Sequence, residues 1–123
     1  MFLTINEIQS YFFQNIGMFI VLQTVAKHMS QLHKADPNRR FSIVNTSSVA
    51  GLRGTPAMVA YSSSKAAVLA MTVSASKDLA PFGIRVNSVS PALIGPGYMW
   101  TRQNELHAAS GMFICYANLS FIL

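Results

Sequence analysis

The chain reads as an α/β domain with crossover helices packed on a parallel sheet. Two long segments carry apolar residues at helical spacing or in helix-forming company. Each is followed by a short run rich in β-branched residues. The connections between them are too short to hold any further element, so the order is helix, strand, helix, strand, as in a sheet of parallel strands.

The first helix is expected over residues 11–32. Phe13, Ile16, Ile20, Val21, Val25 and Met29 recur mostly at spacings of three or four, with glutamine, lysine and histidine between them. Residues 34–40 form a polar connection around Asp36-Pro37-Asn38. A strand over residues 41–45 ends in the small hydroxyl run Thr46-Ser47-Ser48. Residues 51–56, with two glycines and a proline, are expected as loop. A second helix, rich in alanine, methionine and leucine, runs over residues 57–79 until Pro81 and Gly83 stop it. Residues 84–89 form the second strand, closed by Ser90-Pro91, and Gly95-Pro96-Gly97 is loop. Residues 1–110 make one partial domain on this pattern. Residues 111–123 follow as a divergent apolar tail without a clear period.

Composition narrows the function. The chain has 123 residues, which fits one domain with a modest core. It is 51% hydrophobic and 11% charged, more apolar than most small domains, so some of its surface is expected to be covered by further chain or by a partner. Its net charge of +5 does not imply nucleic acid, because the cations form no basic helix face and no basic-aromatic ladder. Cys115 is the single cysteine, which leaves no internal disulfide and points to a reducing, cytoplasmic setting. His28, His33 and His107 lack the spacing of a metal site, and no Gly-x-Ser-x-Gly elbow surrounds Ser48. No metal is expected. The apolar stretch from Tyr11 to Ala26 is broken by Gln14, Asn15 and Gln23, a poor membrane span.

The informative constellation is Ser48, Tyr61 thirteen residues later, and Lys65 four beyond that. On a helix, side chains at i and i+4 share a face, so the ammonium sits near the phenol. A phenol is a poor base at neutral pH unless a neighbouring cation stabilises its phenolate. At ~5 Å and an effective dielectric near 20, one cation contributes about 3 kcal/mol. Ser48 ends a strand, and in open parallel sheets the carboxyl ends of strands face the ligand crevice. Its hydroxyl is placed to hold a substrate oxygen while Tyr61 gives or takes a proton.

With Asn45-Thr46-Ser47-Ser48-Val49-Ala50-Gly51, Tyr61-Ser62-Ser63-Ser64-Lys65 and Ile84-Arg85-Val86-Asn87-Ser88-Val89-Ser90-Pro91 in place, the chain closely resembles the short-chain dehydrogenase/reductase family from about Asn15 to Arg102. The resemblance implies an incomplete Rossmann-like, doubly wound sheet. It also implies an NAD- or NADP-dependent oxidoreductase acting on a small alcohol or carbonyl compound. It makes Ser48, Tyr61 and Lys65 the catalytic serine, tyrosine and lysine, with Tyr61 and Lys65 also holding the nicotinamide ribose. Asn15 is the counterpart of a fourth catalytic group that helps hold a relay water, although ungapped counting puts Gln14 there. Pro91 and Ile94 match the nicotinamide-binding stretch, but Ala92 and Pro96 replace the usual glycine and threonine.

The glycine-rich turn for the pyrophosphate and the residue that reads the adenosine ribose have no counterpart before Asn15. The chain alone is therefore expected to be inactive. The resemblance also implies a homo-oligomer built through the helices at 11–32 and 57–79, with Ala60, Ser64, Ala67 and Ala75 permitting close approach. The alternative function is a non-enzymatic truncated fragment that only associates with other subunits.

Overall fold

Parallel pairing of β1 (Phe41–Thr46) with β2 (Ile84–Ser90) organises the chain, with Phe41 opposite Ile84 and Thr46 opposite Val89. The computed structural model describes residues 5–56, 58–92, 94–109 and 121–122. A parallel pair needs a crossover, and α3 (Val59–Leu79) supplies it, continuing into a 3₁₀ turn over Ala80–Phe82. Gly83 ends that turn at φ 64°, a left-handed conformation that a side chain resists.

Along β2 the even-numbered residues are buried, with Ile84, Ser88 and Ser90 almost wholly enclosed. This period of two places Ile84 and Val86 on the face that meets the helices. Leu22 of α1 (Ile5–Ala35) completes the buried cluster, with Met29, Phe41, Ile43, Met71, Ala75, Leu79 and Phe82 packed around it. Asn45 lies on the same face as Ile43, and its amide nitrogen donates to Thr72 Oγ1 at 2.9 Å. Thr72 in turn donates to the Val68 carbonyl. Both groups of this buried pair are thereby satisfied.

Three features differ from the sequence expectation. Helix α1 is longer, and its inward stripe is Tyr11, Asn15, Met18, Leu22, Val25 and Met29. Phe13, Ile16, Ile20 and Val21, expected inside, are exposed together with Phe12 and Phe19. Both stripes have helical period, and contact with α3 selects the first. Within residues 51–56 the chain first completes a short helix, α2 (Val49–Arg53), because Ser48 caps it by accepting from the Ala50 N–H. Five residues are too few to show a period. A further helix, α4 (Tyr98–Ala109), follows the Gly95-Pro96-Gly97 loop.

The sheet has one antiparallel addition, β3 (Phe121–Ile122), which pairs with Val89 and Ser90 of β2. Most of the apolar tail over 111–123, Cys115 included, lies outside the described residues. Among the small residues of α3, Ser64 is 3% exposed and Ala75 packs on the core, while Ala60 and Ala67 are half-buried. No helix among the described residues is long and apolar enough to cross a membrane.

Candidate active site

The hydroxyl run after β1 stays at the carboxyl end of the sheet because backbone and side chains tie it there. The Ser47 N–H donates to the Val89 carbonyl at 2.8 Å, extending the ladder by one bond, and Ser47 Oγ donates to the Lys65 carbonyl at 2.7 Å. The Val49 N–H then donates to the Pro91 carbonyl at 3.1 Å. Ends of β1 and β2 and the middle of α3 therefore meet at one place.

Ser48 is buried there. Its oxygen accepts from the Ala50 N–H at 3.2 Å, which occupies one acceptor position and leaves the hydroxyl proton to be donated elsewhere. Tyr61 and Lys65 stand one turn apart on α3, both half-buried. Lys65 Nζ is 5.9 Å from the centroid of the Tyr61 ring and donates to the Thr46 carbonyl at 3.2 Å. That bond draws the ammonium back to the end of β1. An ammonium has three donors, so two remain.

The other side of Tyr61 meets α1. The rings of Tyr11 and Tyr61 lie 5.8 Å apart at an interplanar angle of 62°, an edge-to-face contact. Asn15 is one turn beyond Tyr11 on the half-buried stripe, whereas Gln14 is exposed. Pro91 is half-buried where β2 ends, and Ile94 is 73% exposed in the loop beyond it. The structure thus brings Lys65 to the carboxyl end of β1, where Ser48 follows, with Tyr61 one turn before Lys65 on α3 and Pro91 joined to Val49 through its carbonyl. It leaves Ile94 projecting from the loop.

Four contributors went unread in the sequence. Tyr11 approaches from a different helix, the Thr46 carbonyl is a backbone group, Ser47 works through Lys65's own backbone, and Gly51 is needed for contact. A Cβ on Gly51 would meet the Lys65 carbonyl carbon at 2.6 Å, so only glycine lets α2 lie this close to α3. The glycine was visible as punctuation, but its neighbour was not. Among the described residues no three His, Cys, Asp or Glu side chains are grouped as metal ligands would be.

Comparison with known proteins agrees with this architecture. A family model described as short chain dehydrogenase matches residues 2–107. The chain is 39% identical over 93 residues to 3-hydroxyacyl-CoA dehydrogenase type-2 of Homo sapiens, covering 75% of this chain and 36% of the relative. It is 44% identical over 78 residues to cyclopentanol dehydrogenase of Comamonas testosteroni, covering 63% and 29%. A crystal structure of NAD+-bound xylitol dehydrogenase superposes with a TM-score of 0.65 at 47% identity, over 76% of this chain and 34% of that one. The chain spans about a third of the length of these relatives. Its fold is part of a Rossmann-like α/β sheet, and it belongs to the short-chain dehydrogenase family.

Proposed function

We propose that residues 1–110 form the catalytic portion of an oxidoreductase that moves hydride between a nicotinamide dinucleotide, NAD or NADP, and a small alcohol or carbonyl compound. The observation that carries this reading is the Lys65 ammonium, held by the Thr46 carbonyl at the carboxyl end of β1 and 5.9 Å from the centroid of the Tyr61 ring. An ammonium there has donors to spare for ribose hydroxyls. The bound nicotinamide supplies or accepts the hydride.

The chain's own residues handle the proton. In the reducing direction Tyr61 gives its phenolic proton to the substrate oxygen, and in the oxidising direction it takes the proton back. Lys65 offsets the negative charge that Tyr61 acquires. Ser48 has its oxygen capped by Ala50 and its proton free, and it donates to the same substrate oxygen and holds it in place. Asn15, on the stripe that carries Tyr11, holds a water through which the proton reaches solvent. Pro91 and Ile94 border the nicotinamide.

On this reading the residues named hold only the nicotinamide end of a dinucleotide, so we propose that the 123-residue chain by itself binds it weakly and does not turn over. We place the protein in the cytoplasm, as a homo-oligomer. A second reading, a non-enzymatic piece that only associates with other subunits, draws on the exposed Phe12, Phe13, Phe19 and Ile20 of α1. The test joins this chain to a dinucleotide-binding half and follows NAD(P)H absorbance with secondary alcohols and ketones. Turnover that Tyr61→Phe abolishes supports the enzymatic reading. Turnover untouched by Tyr61→Phe, or none with a folded, cofactor-bound fusion, overturns it.

A further inference from the structure

Helix α1 runs opposite in direction to β1, because only residues 36–40 join its last residue, Ala35, to Phe41. Its early turns therefore stand at the carboxyl edge of the sheet, where Ser48 follows β1 and Lys65 is held by the Thr46 carbonyl. Leu22, in the middle of α1, joins the buried cluster with Ile84 and Val86. Tyr11 precedes it by about three turns, roughly 16 Å along the axis at ~1.5 Å per residue. Tyr11 is half-buried and outside that cluster, and its ring meets Tyr61 instead.

Two elements act on the Tyr61 ring. Lys65, one turn on in α3, sets its Nζ 5.9 Å from the ring centroid. Tyr11 of α1 sets its own ring 5.8 Å away, with the planes at 62°. The ammonium is fixed by the end of β1, but a tyrosine side chain pivots about two torsions, and a step to another staggered χ1 well carries the phenol oxygen to a different place. An edge-to-face pair is directional, because the positive edge of one ring meets the negative face of the other. An aliphatic side chain at position 11 would pack without that preference.

We infer that Tyr11 is a positioning residue, which holds the Tyr61 ring in one χ1 rotamer and so keeps the phenol oxygen in place for proton transfer. This role rests on the catalytic reading of Tyr61 and adds to it a side chain from a different helix. Positioning acts on the chemical step, since an acid or base that leaves its place slows turnover without loosening the substrate. The plain alternative is that Tyr11 only fills space between α1 and α3. Leucine would do that nearly as well at a half-buried helical position, so the two roles part at Tyr11→Leu.

Three-bond N–Cγ and C′–Cγ couplings of Tyr61, measured by NMR on the full isotope-labelled chain, report its χ1 populations. One rotamer is expected in the parent, averaging over several wells in Tyr11→Leu, and one rotamer again in Tyr11→Phe, which restores the ring. In the fusion with a dinucleotide-binding half, Tyr11→Leu should lower kcat about two- to tenfold, the weight of one aromatic pair, and Tyr11→Phe should recover it. KM for the alcohol should stay within about twofold of the parent. A single rotamer retained in Tyr11→Leu overturns the proposal, and so does a kcat equal to the parent's. A lowered thermal midpoint that accounts for the whole loss of kcat also overturns it, in favour of mere packing. Turnover that survives Tyr61→Phe overturns the catalytic reading instead, and the couplings then still decide whether Tyr11 fixes the ring.

Discussion

Gly51 lies against the backbone of Lys65 so closely that a Cβ on Gly51 would come within 2.6 Å of the Lys65 carbonyl carbon and 2.7 Å of the Ala66 nitrogen. The obstacle is helix backbone, which cannot swing aside as a side-chain tip does. Through this contact the loop that carries Ser48 is pressed against the turn of α3 that carries the lysine.

Gly51→Ala should therefore destabilise the fold by about 1–3 kcal/mol, the usual cost of overpacking. Urea denaturation followed by circular dichroism measures it. An unchanged midpoint would mean that α2 gives way freely and does not fix the position of Ser48.

Thr72→Val should cost about 1–3 kcal/mol, although it removes a polar group from the interior. Asn45 keeps its amide and loses the acceptor it reaches at 2.9 Å, and an unsatisfied buried donor is costly. Thr72→Ser retains the hydroxyl and should recover most of that loss. The same denaturation measurement separates the two variants.

Ile84 is 1% exposed at the centre of the buried cluster. Ile84→Ala should cost about 2–5 kcal/mol and Ile84→Val about 0.5–1.5 kcal/mol. Equal effects would show that the sheet collapses onto the space left by the missing methyl groups.

Tyr61→Phe in the fusion described above should lower kcat by about 10²- to 10⁴-fold, the usual contribution of a positioned acid or base. The ring contact with Tyr11 uses the aromatic face and edge, which phenylalanine keeps, so stability should change by less than about 1 kcal/mol. A variant that loses activity only because it unfolds would show in its thermal transition and would not count for the mechanism.

The isolated chain should self-associate through the outer face of α1, and Phe12→Ser with Phe19→Ser should shift it toward monomer. Both side chains are more than half exposed, so the substitutions remove apolar surface without opening the core. Sedimentation velocity reads the change. An unaltered distribution would place the contact elsewhere.

The α/β class, the two strands and the pairing of Tyr61 with Lys65 were legible in the amino-acid order, because each depends on spacing along a single element. Ser48 was legible as the end of a strand. Its second duty as the cap of α2 was not, since a five-residue helix has too few turns to show a period. Helix α1 holds two apolar stripes, and the sequence favoured the one with Phe13, Ile16 and Ile20. Packing against α3 buries Leu22 instead and sets Tyr11 against Tyr61, because the stripe that goes inside is the one a neighbouring element covers. The Thr46 carbonyl that holds Lys65 and the contact at Gly51 likewise came only from the tertiary structure. Backbone groups are the same at every residue, and only the placement of the second strand and its helix decides which of them meet a side chain and which meet each other.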